Sequence, residues 1–167
     1  MDFYDLIRNQ KTISDTFSIT KLNRVLEDYP LQDPSSLVEW AVSGVNQPHG
    51  PKLIKLTIKA NPKLICQRCN SYFVYPLDID TTLEVVSSLK DLEEDVDSSG
   101  EIADSEHDKI FTSQAQDMVS FIEDEILLNI PYIPKHEECP EELIPHPKFQ
   151  EEVKESPFAI LKKLKNN

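Results

Sequence analysis

The sequence predicts an α+β fold, in which one amphipathic helix packs on a mainly antiparallel sheet. The sheet is either open or curved toward a barrel. Short apolar and polar alternations follow one another over residues 36–86. Consecutive strands joined by short turns pair antiparallel, because parallel pairs need long crossover connections. A single helical period then covers 113–130. At 167 residues the chain has the size of one domain, so we assign 1–167 to a single domain.

Two alternating runs define the predicted sheet. Residues 1–34 mix apolar clusters with turn signals and indicate a short helix or strand without deciding between them. The run SLVEWAVSG (36–44) then places Val38, Trp40 and Val42 on one face. After a turn at 46–51, KLIKLTIKA (52–60) alternates apolar residues with lysine and threonine. Period-two alternation indicates a half-buried strand with one solvent-facing side.

The motif CQRC (66–69) lies between two β-rich runs, which places both cysteines at a turn. Two cysteines at such a turn supply half of the ligands of a zinc site. A thioredoxin-like redox motif needs a helix N-terminus instead, which the flanking strands disfavour. The odd number of cysteines, three, does not form a secreted disulfide framework. We therefore expect the protein to be located in a reducing cytoplasm.

The second half of the chain alternates ordered and irregular stretches. Residues 89–109 are rich in Asp, Glu, Ser and Gly, which predicts a flexible acidic loop. Ser113 and Gln116 form a capping-box pattern at the start of the helix over 113–130, and Glu125 leaning inward would pair with Arg68. The proline-rich stretch 131–167 is predicted to be an irregular tail with a peripheral helix starting at Ser156 and Pro157.

Charge is divided unevenly along the chain. The net charge is -13, yet 81–130 alone hold two basic and fourteen acidic residues. No acid occurs over 46–77, where five cations lie. We predict RNA phosphate contacts by these five, with plain solubility and edge protection as the alternative. The candidate RNA-binding residues are Lys52, Lys55, Lys59, Lys63 and Arg68.

Motifs for other functions are missing from the sequence. It has no Walker loop, nucleophile elbow or triad spacing, so we expect no catalytic residues and no small-molecule substrate. The start is acidic and without a long apolar run, which argues against a signal peptide, and no apolar stretch is long enough for a bilayer. We expect a cytoplasmic, non-enzymatic binding protein with no membrane association.

Three blocks resemble the YceD family of bacterial proteins, which are described as large ribosomal RNA subunit accumulation proteins. They are CQRC (66–69), EDEILLNIPYIPKHEEC (123–139) and SPFAILKKLK (156–165). The resemblance implies a role in synthesis, processing or stability of 23S ribosomal RNA, with that RNA or its precursor as partner. Ribosomal proteins or RNA-processing enzymes are the other expected partners. An adaptor that binds such proteins without touching RNA is the alternative.

A structural zinc site is the cofactor to consider. Many relatives carry further cysteines after the helix, whereas this chain has Cys139 with His136 nearby. Cys66, Cys69, His136 and Cys139 would supply three thiolates and an imidazole, an acceptable tetrahedral set. The alternative is reduced thiols that hold a turn, with Cys139 in the tail.

Overall fold

The computed structural model describes residues 1–45, 47, 49–93, 107–112 and 115–140. Its strands are β1 (Thr12–Ser18), β2 (Leu37–Val45), β3 (Leu53–Ala60), β4 (Lys63–Ile65), β5 (Tyr72–Val74), β6 (Leu77–Val86) and β7 (Asp108–Phe111). Its helices are α1 (Phe3–Asn9), α2 (Asn23–Asp28), α3 (Leu89–Glu93) and α4 (Met118–Asn129), with a 3₁₀ turn at Ile19–Lys21.

Five strands form one sheet in the order β1-β2-β3-β6-β7, and β4 pairs with β5 in a separate hairpin. Every pair is antiparallel except β6 with β7, which is parallel. The predicted α+β class and mainly antiparallel sheet are confirmed. The sheet is open, since β1 and β7 are its two outer strands among the described residues. A barrel-like closure is therefore not confirmed.

The core lies on one face of this sheet. Val38 and Val42 of β2 and Leu56 of β3 are fully buried, as their alternation predicted. Helices α1 and α4 cover this face together, and the rings of Phe3 and Phe121 meet at 5.5 Å. The sequence pattern does not resolve α1, although Asp2 caps it by accepting from the amides of Tyr4 and Asp5.

Gly44 allows α1 to lie directly on β2. A Cβ at this position would come within 2.2 Å of the carbonyl oxygen of Leu6, closer than any side chain permits. The same contact is reinforced by a hydrogen bond from the Gly44 amide to the carbonyl of Lys11 at 3.0 Å. A glycine in the middle of a strand here marks a close backbone approach.

The start of α4 corrects the capping-box prediction. The helix begins at Met118, and Asp117 caps it by accepting from the Val119 amide at 3.2 Å. Gln116 instead donates to the Thr112 hydroxyl at 2.9 Å, and its backbone amide donates to the Met1 carbonyl at 2.7 Å. The residue that the sequence pattern assigned to a helix cap therefore holds the first residue of the chain instead. Ser113 lies outside the described residues.

The inward carboxylate of α4 is Glu123 rather than Glu125. Glu123 is buried, with its side chain 8% exposed, and Oε1 accepts from the backbone amides of Arg24 at 2.7 Å and Val25 at 3.2 Å. The Arg24 Nε donates to Oε2 at 3.2 Å. Since α2 has no cap from its own N-cap side chain, Glu123 caps it from another helix. The expected pairing of Glu125 with Arg68 is wrong.

The acidic stretch 89–109 begins with α3 and ends in β7, while 94–106 lie outside the described residues. Residues 131–140 form neither helix nor strand, in keeping with the predicted irregular tail. The predicted C-terminal helix falls in 141–167, also outside the described residues. Among the helices that the structure describes, none is long and apolar enough to span a membrane.

Candidate metal centre and basic surface

The CQRC turn is closed by its own backbone. The Cys66 amide donates to the Ser71 carbonyl at 2.9 Å, and the Asn70 amide donates to the Cys66 carbonyl at 2.8 Å. Asn70 adopts a left-handed conformation with φ 59°, which asparagine tolerates better than most residues. The turn connects β4 to β5, as the flanking strands predicted, and leaves both cysteines buried.

The proline-rich segment after α4 folds back onto this turn. The Gln67 amide donates to the Pro134 carbonyl at 2.8 Å. The ring of His136 packs against Phe73 of β5, with centroids 4.6 Å apart. Nη2 of Arg68 donates to the carbonyls of His136 at 3.2 Å and Glu137 at 3.4 Å. The segment 134–139 and the β4–β5 hairpin together form a unit that we call the knuckle.

Four side chains converge inside the knuckle, and their ligand atoms all lie within 4.8 Å of one another. They are Cys66, Cys69, His136 and Cys139. The Sγ atoms of Cys66 and Cys139 are 3.5 Å apart. Nδ1 of His136 lies 3.5 Å from the Cys69 sulfur and 3.8 Å from the Cys139 sulfur. Zinc bond lengths imply about 3.6–3.8 Å between neighbouring ligand atoms in a tetrahedron, so the geometry fits.

Hydrogen bonding favours a thiolate at Cys66. Burial pushes the pKa of Cys66 upward, but amide hydrogen bonds from Cys69, His136 and Arg68 outweigh it and bring this pKa to about 5. Burial raises the pKa of Cys139, against a hydrogen bond from Nε of Arg68 at 2.9 Å. Arg68 therefore acts as an outer-shell partner that holds a sulfur and two carbonyls of the docked segment.

The lysines of β3 face acids on β6. Lys55 pairs with Asp80 at 3.0 Å, and Lys59 approaches Asp78 at 3.9 Å. The acids themselves are visible in the sequence, because Asp78 and Asp80 alternate with apolar residues in LDIDTTLE. That they lie opposite the lysines follows only from the pairing of β3 with β6. The predicted cationic row is thus partly neutralised by its neighbour strand.

The other candidate cations lie against rings or sulfur. Nζ of Lys52 is 4.8 Å from the centre of the Tyr4 ring, and Nζ of Lys63 is 5.4 Å from that of Tyr72. These are cation–π distances. Arg68 is engaged with Cys139 and the docked segment. The structure therefore divides the five candidates between the sheet and the knuckle.

The outer side of the hairpin combines a cation with exposed apolar groups. Alternation along β4 and β5, in their antiparallel register, puts Lys63, Ile65, Tyr72 and Val74 on one side. Tyr72 is 47% and Val74 59% exposed, whereas Leu64 on the other side is buried. We call these four residues the hairpin face. The alternation in KLI and YFV is the sequence signal for it, although the cysteine motif between them is the more conspicuous pattern.

One carboxylate lies near the hairpin face. Hydrogen bonds from Ser35 hold the pKa of Asp33 below its usual range, and the charge of Lys63 adds to the effect. Asp33 is tied to the Ser35 amide and hydroxyl, both at 2.8 Å. Lys63 therefore lies beside the exposed ring of Tyr72, and the nearby Asp33 carboxylate already has hydrogen-bond donors in Ser35.

Fold and site together define a small α+β domain whose open sheet carries a knuckle with three cysteines and one histidine. A family model described as "Large ribosomal RNA subunit accumulation protein YceD" matches residues 54–165, and the chain belongs to this family. The match confirms the resemblance and runs from β3 through the knuckle and α4. Neither a curated protein nor a solved structure matches the chain.

Proposed function

We propose that this chain is a non-enzymatic ribosome-biogenesis factor that acts in the cytoplasm. It promotes synthesis, processing or accumulation of 23S ribosomal RNA by binding that RNA or its precursor. Membership of the YceD family carries this proposal. The four-ligand knuckle supports a binding role as well, because a closed set of four protein ligands leaves no open position for a substrate.

The hairpin face is the centre of the proposed RNA interface. Lys63 supplies charge for a phosphate, and the exposed Tyr72 ring beside it supplies a stacking surface for a base. The lysines of β3 play a smaller part, since Lys55 and Lys59 bring their acids with them. These exposed pairs are weak, about 0–1 kcal/mol, so a phosphate can displace them. Lys52 and Arg68 complete the proposed set.

We further propose that the knuckle holds a structural zinc ion bound by Cys66, Cys69, His136 and Cys139. Three thiolates around a Zn²⁺ ion leave one negative charge in excess, which the guanidinium of Arg68 offsets at 2.9 Å from the Cys139 sulfur. The metal would fix the segment 134–139 against the hairpin. Metal analysis of protein purified without chelator or nickel resin should give close to one zinc per chain. A stoichiometry near zero in the intact protein overturns this part of the proposal.

RNA binding is tested by fluorescence anisotropy with labelled fragments of 23S ribosomal RNA. Charge reversal at Lys63 (Lys63→Glu) should weaken binding about tenfold. It should also lower the slope of log affinity against log salt by about 0.7–0.9 for each phosphate that the variant no longer neutralises. Tyr72→Ala should weaken binding by about 1–3 kcal/mol without changing that slope. The exposed Lys90 of α3 offers a matched charge control, Lys90→Glu.

The same variants should be placed in cells that lack the native gene, with the level of 23S ribosomal RNA as readout. Lys63→Glu should fail to restore that level, whereas Lys90→Glu should restore it. If Lys63→Glu and Tyr72→Ala bind RNA as tightly as the native chain, the hairpin face is not the interface. If both also restore the RNA level in cells, direct RNA binding through the knuckle has no role in the function.

A protein adaptor that does not touch RNA is the second candidate. The net charge of -13 and the acids paired with Lys55 and Lys59 favour it, because they suit a basic protein partner better than a polyanion. Partners should then survive RNase treatment of a pull-down from cells. Loss of all partners on digestion favours the RNA-binding proposal instead.

A further inference from the structure

A groove runs along β1 on the face of the sheet that the helices cover. It lies at the β1 edge of the sheet, away from β3. It has a volume of about 750 Å³ and lies between β1 and the starts of α1 and α4. Its floor is apolar and includes Leu6, Phe17, Trp40 and Met118. Its rim is acidic: Asp2, Asp5, Asp15 and Asp117. This site shares no residue with the knuckle.

Beside the groove, the outer edge of β1 has no pairing strand among the residues that the structure describes. The Gly44 amide donates to Lys11 at 3.0 Å, and the Ile19 amide donates to Ser36 at 2.9 Å, one pair at each end of the β1–β2 ladder. Antiparallel pairing alternates, so the odd-numbered residues of β1 bond to β2 and the even-numbered ones point outward. The amide and carbonyl of Ser14 therefore face away from the sheet, and 12–16 are exposed.

Trp40 forms part of the apolar floor of the groove. It is 7% exposed and lines the groove directly opposite Asp15 in the strand register. Its indole Nε1 is buried and has no hydrogen-bond acceptor among the described residues. A buried donor without an acceptor is costly and rare. Because this atom is closed to solvent, an occupant of the groove can bond to it only if the indole ring turns.

The charge of the rim selects the occupant. Asp5 is paired with Lys11 at 3.0 Å, but Asp15 accepts only from the neighbouring Thr16 amide and forms no ion pair within the described part of the chain. The cations at the groove are Lys21, whose Nζ lies 6.0 Å from the Phe17 ring centre, and the amino group of Met1, which donates to the Gln116 carbonyl. A second copy of the chain would bring acid against acid, and RNA phosphates would be repelled.

We propose that β1 and this groove bind an extended, lysine- or arginine-bearing segment of a partner protein. The segment adds to the open edge as a sixth strand of the sheet. Its alternate apolar side chains enter the groove over Trp40, and its basic side chains meet Asp15 and the other rim acids. Strand addition of this kind takes affinity from backbone hydrogen bonds and specificity from the pockets for alternate side chains.

The probe is a labelled seven-residue peptide of alternating lysine and valine, titrated into the full chain at about 150 mM salt to suppress unspecific attraction. Trp40 is the single tryptophan of the chain, so its emission reports occupancy of the groove directly. Ser14→Pro blocks the open edge, and edge strands tolerate proline where the amide faces solvent. It should weaken binding about tenfold while circular dichroism stays native.

Asp15→Lys should weaken binding at least as much, whereas Glu27→Lys, the same charge change on an exposed site of α2, should change it less than about twofold. A peptide methylated on its backbone nitrogens should not bind. The proposal is overturned if Ser14→Pro binds normally, if the methylated peptide binds as well, or if Trp40 emission does not respond. A dimer through β1 in the absence of peptide, seen by sedimentation, also overturns it.

Discussion

The five-stranded sheet and the knuckle obtain their order in different ways. On the sheet, Ile54, Leu56 and Ile58 of a single strand are fully buried. The hairpin has strands of three residues and buries Leu64, while Tyr72 and Val74 stay about half exposed. A short two-stranded hairpin is marginal in water. Four metal-type ligands can replace the missing core, and the outer side of the hairpin is then free to serve as a contact surface.

The same contrast governs the cations. A strand inside the sheet has a neighbour on each side, and β6 presents acids to the lysines of β3. The hairpin is separate from the sheet, and there Lys63 contacts a ring and Arg68 contacts a sulfur. A basic residue keeps its capacity for phosphate where the fold gives it no carboxylate of its own. If this contrast is correct, the two regions should respond independently to substitution and to metal removal.

Removing the proposed zinc ion should have the largest effect, and the effect should be confined to the knuckle. Structural zinc contributes about 10–16 kcal/mol of binding free energy in zinc-finger peptides. With zinc chelated, amide exchange should become fast over 63–74 and 134–139 while β2, β3 and β6 stay protected. Cys69→Ser should give the same pattern without chelator. Exchange that is unchanged in both experiments would show that the knuckle is ordered without metal.

Truncating the sheet core should act globally instead. Leu56→Ala removes a fully buried side chain between Val42 and Thr81 of the neighbouring strands. The free energy of unfolding should fall by about 2–5 kcal/mol. Urea denaturation measures it, with the exposed Leu37 as matched control (Leu37→Ala). Zinc content of the folded fraction should not change. A loss of zinc in the folded Leu56→Ala protein would mean that the two regions are coupled.

Glu123 tests how much a buried polar contact between α4 and α2 contributes to the free energy of unfolding. Glu123→Gln keeps the shape but removes the charge that caps α2 and pairs with Arg24. We expect a loss of about 1–3 kcal/mol, because amide donors at the helix start and a guanidinium lose a charged acceptor. Thermal unfolding measures this loss. The neighbouring Asp124, which pairs with Arg24 at the surface, offers Asp124→Asn as a control with a smaller effect.

How much the sequence could predict follows from the range of each interaction. Period-two alternation is local, so β2, β3 and the turn between β4 and β5 were predictable from the residues alone. The acids opposite Lys55 and Lys59 depend on which strands pair, and the cap by Glu123 joins residues about a hundred positions apart. No local pattern carries that information. The four candidate ligands were predictable by residue type, whereas their convergence needed the fold-back of 134–139.

The ion pair between Lys55 and Asp80 should contribute little to stability, below about 1 kcal/mol, because both side chains are well exposed. A double-mutant cycle with Lys55→Ala and Asp80→Ala measures the coupling. Asp80→Ala alone should also release Lys55, so that RNA affinity rises rather than falls. A coupling well above this size would make the pair a fixed part of the sheet, and Lys55 would then be unavailable to phosphate.

The smallest expected effect lies at Glu125, which is half-buried on α4. Burial raises the pKa of this carboxyl in the folded state, and the charges of Asp108 and Asp124 add to the rise. The folded state therefore favours the protonated form, so this group destabilises the fold increasingly as the pH rises from its unfolded pKa to its folded pKa, above which the penalty is complete. Glu125→Gln should stabilise the chain at pH 7 by about 0.5 kcal/mol, because solvent screens the charge of this partly exposed group.

The gain from Glu125→Gln should fade as the pH falls toward about 3, where the native carboxyl is protonated in both the folded and the unfolded state. Thermal unfolding across this pH range measures it. Glu27→Gln on exposed α2 should show no gain at any pH. If Glu125→Gln is destabilising at pH 7, the carboxylate has a favourable partner in the folded chain. The acids of β7 and α4 would then be paired within the chain, as the lysines of β3 are. The knuckle and the edge of β1 would be the surfaces whose charges are left for a partner.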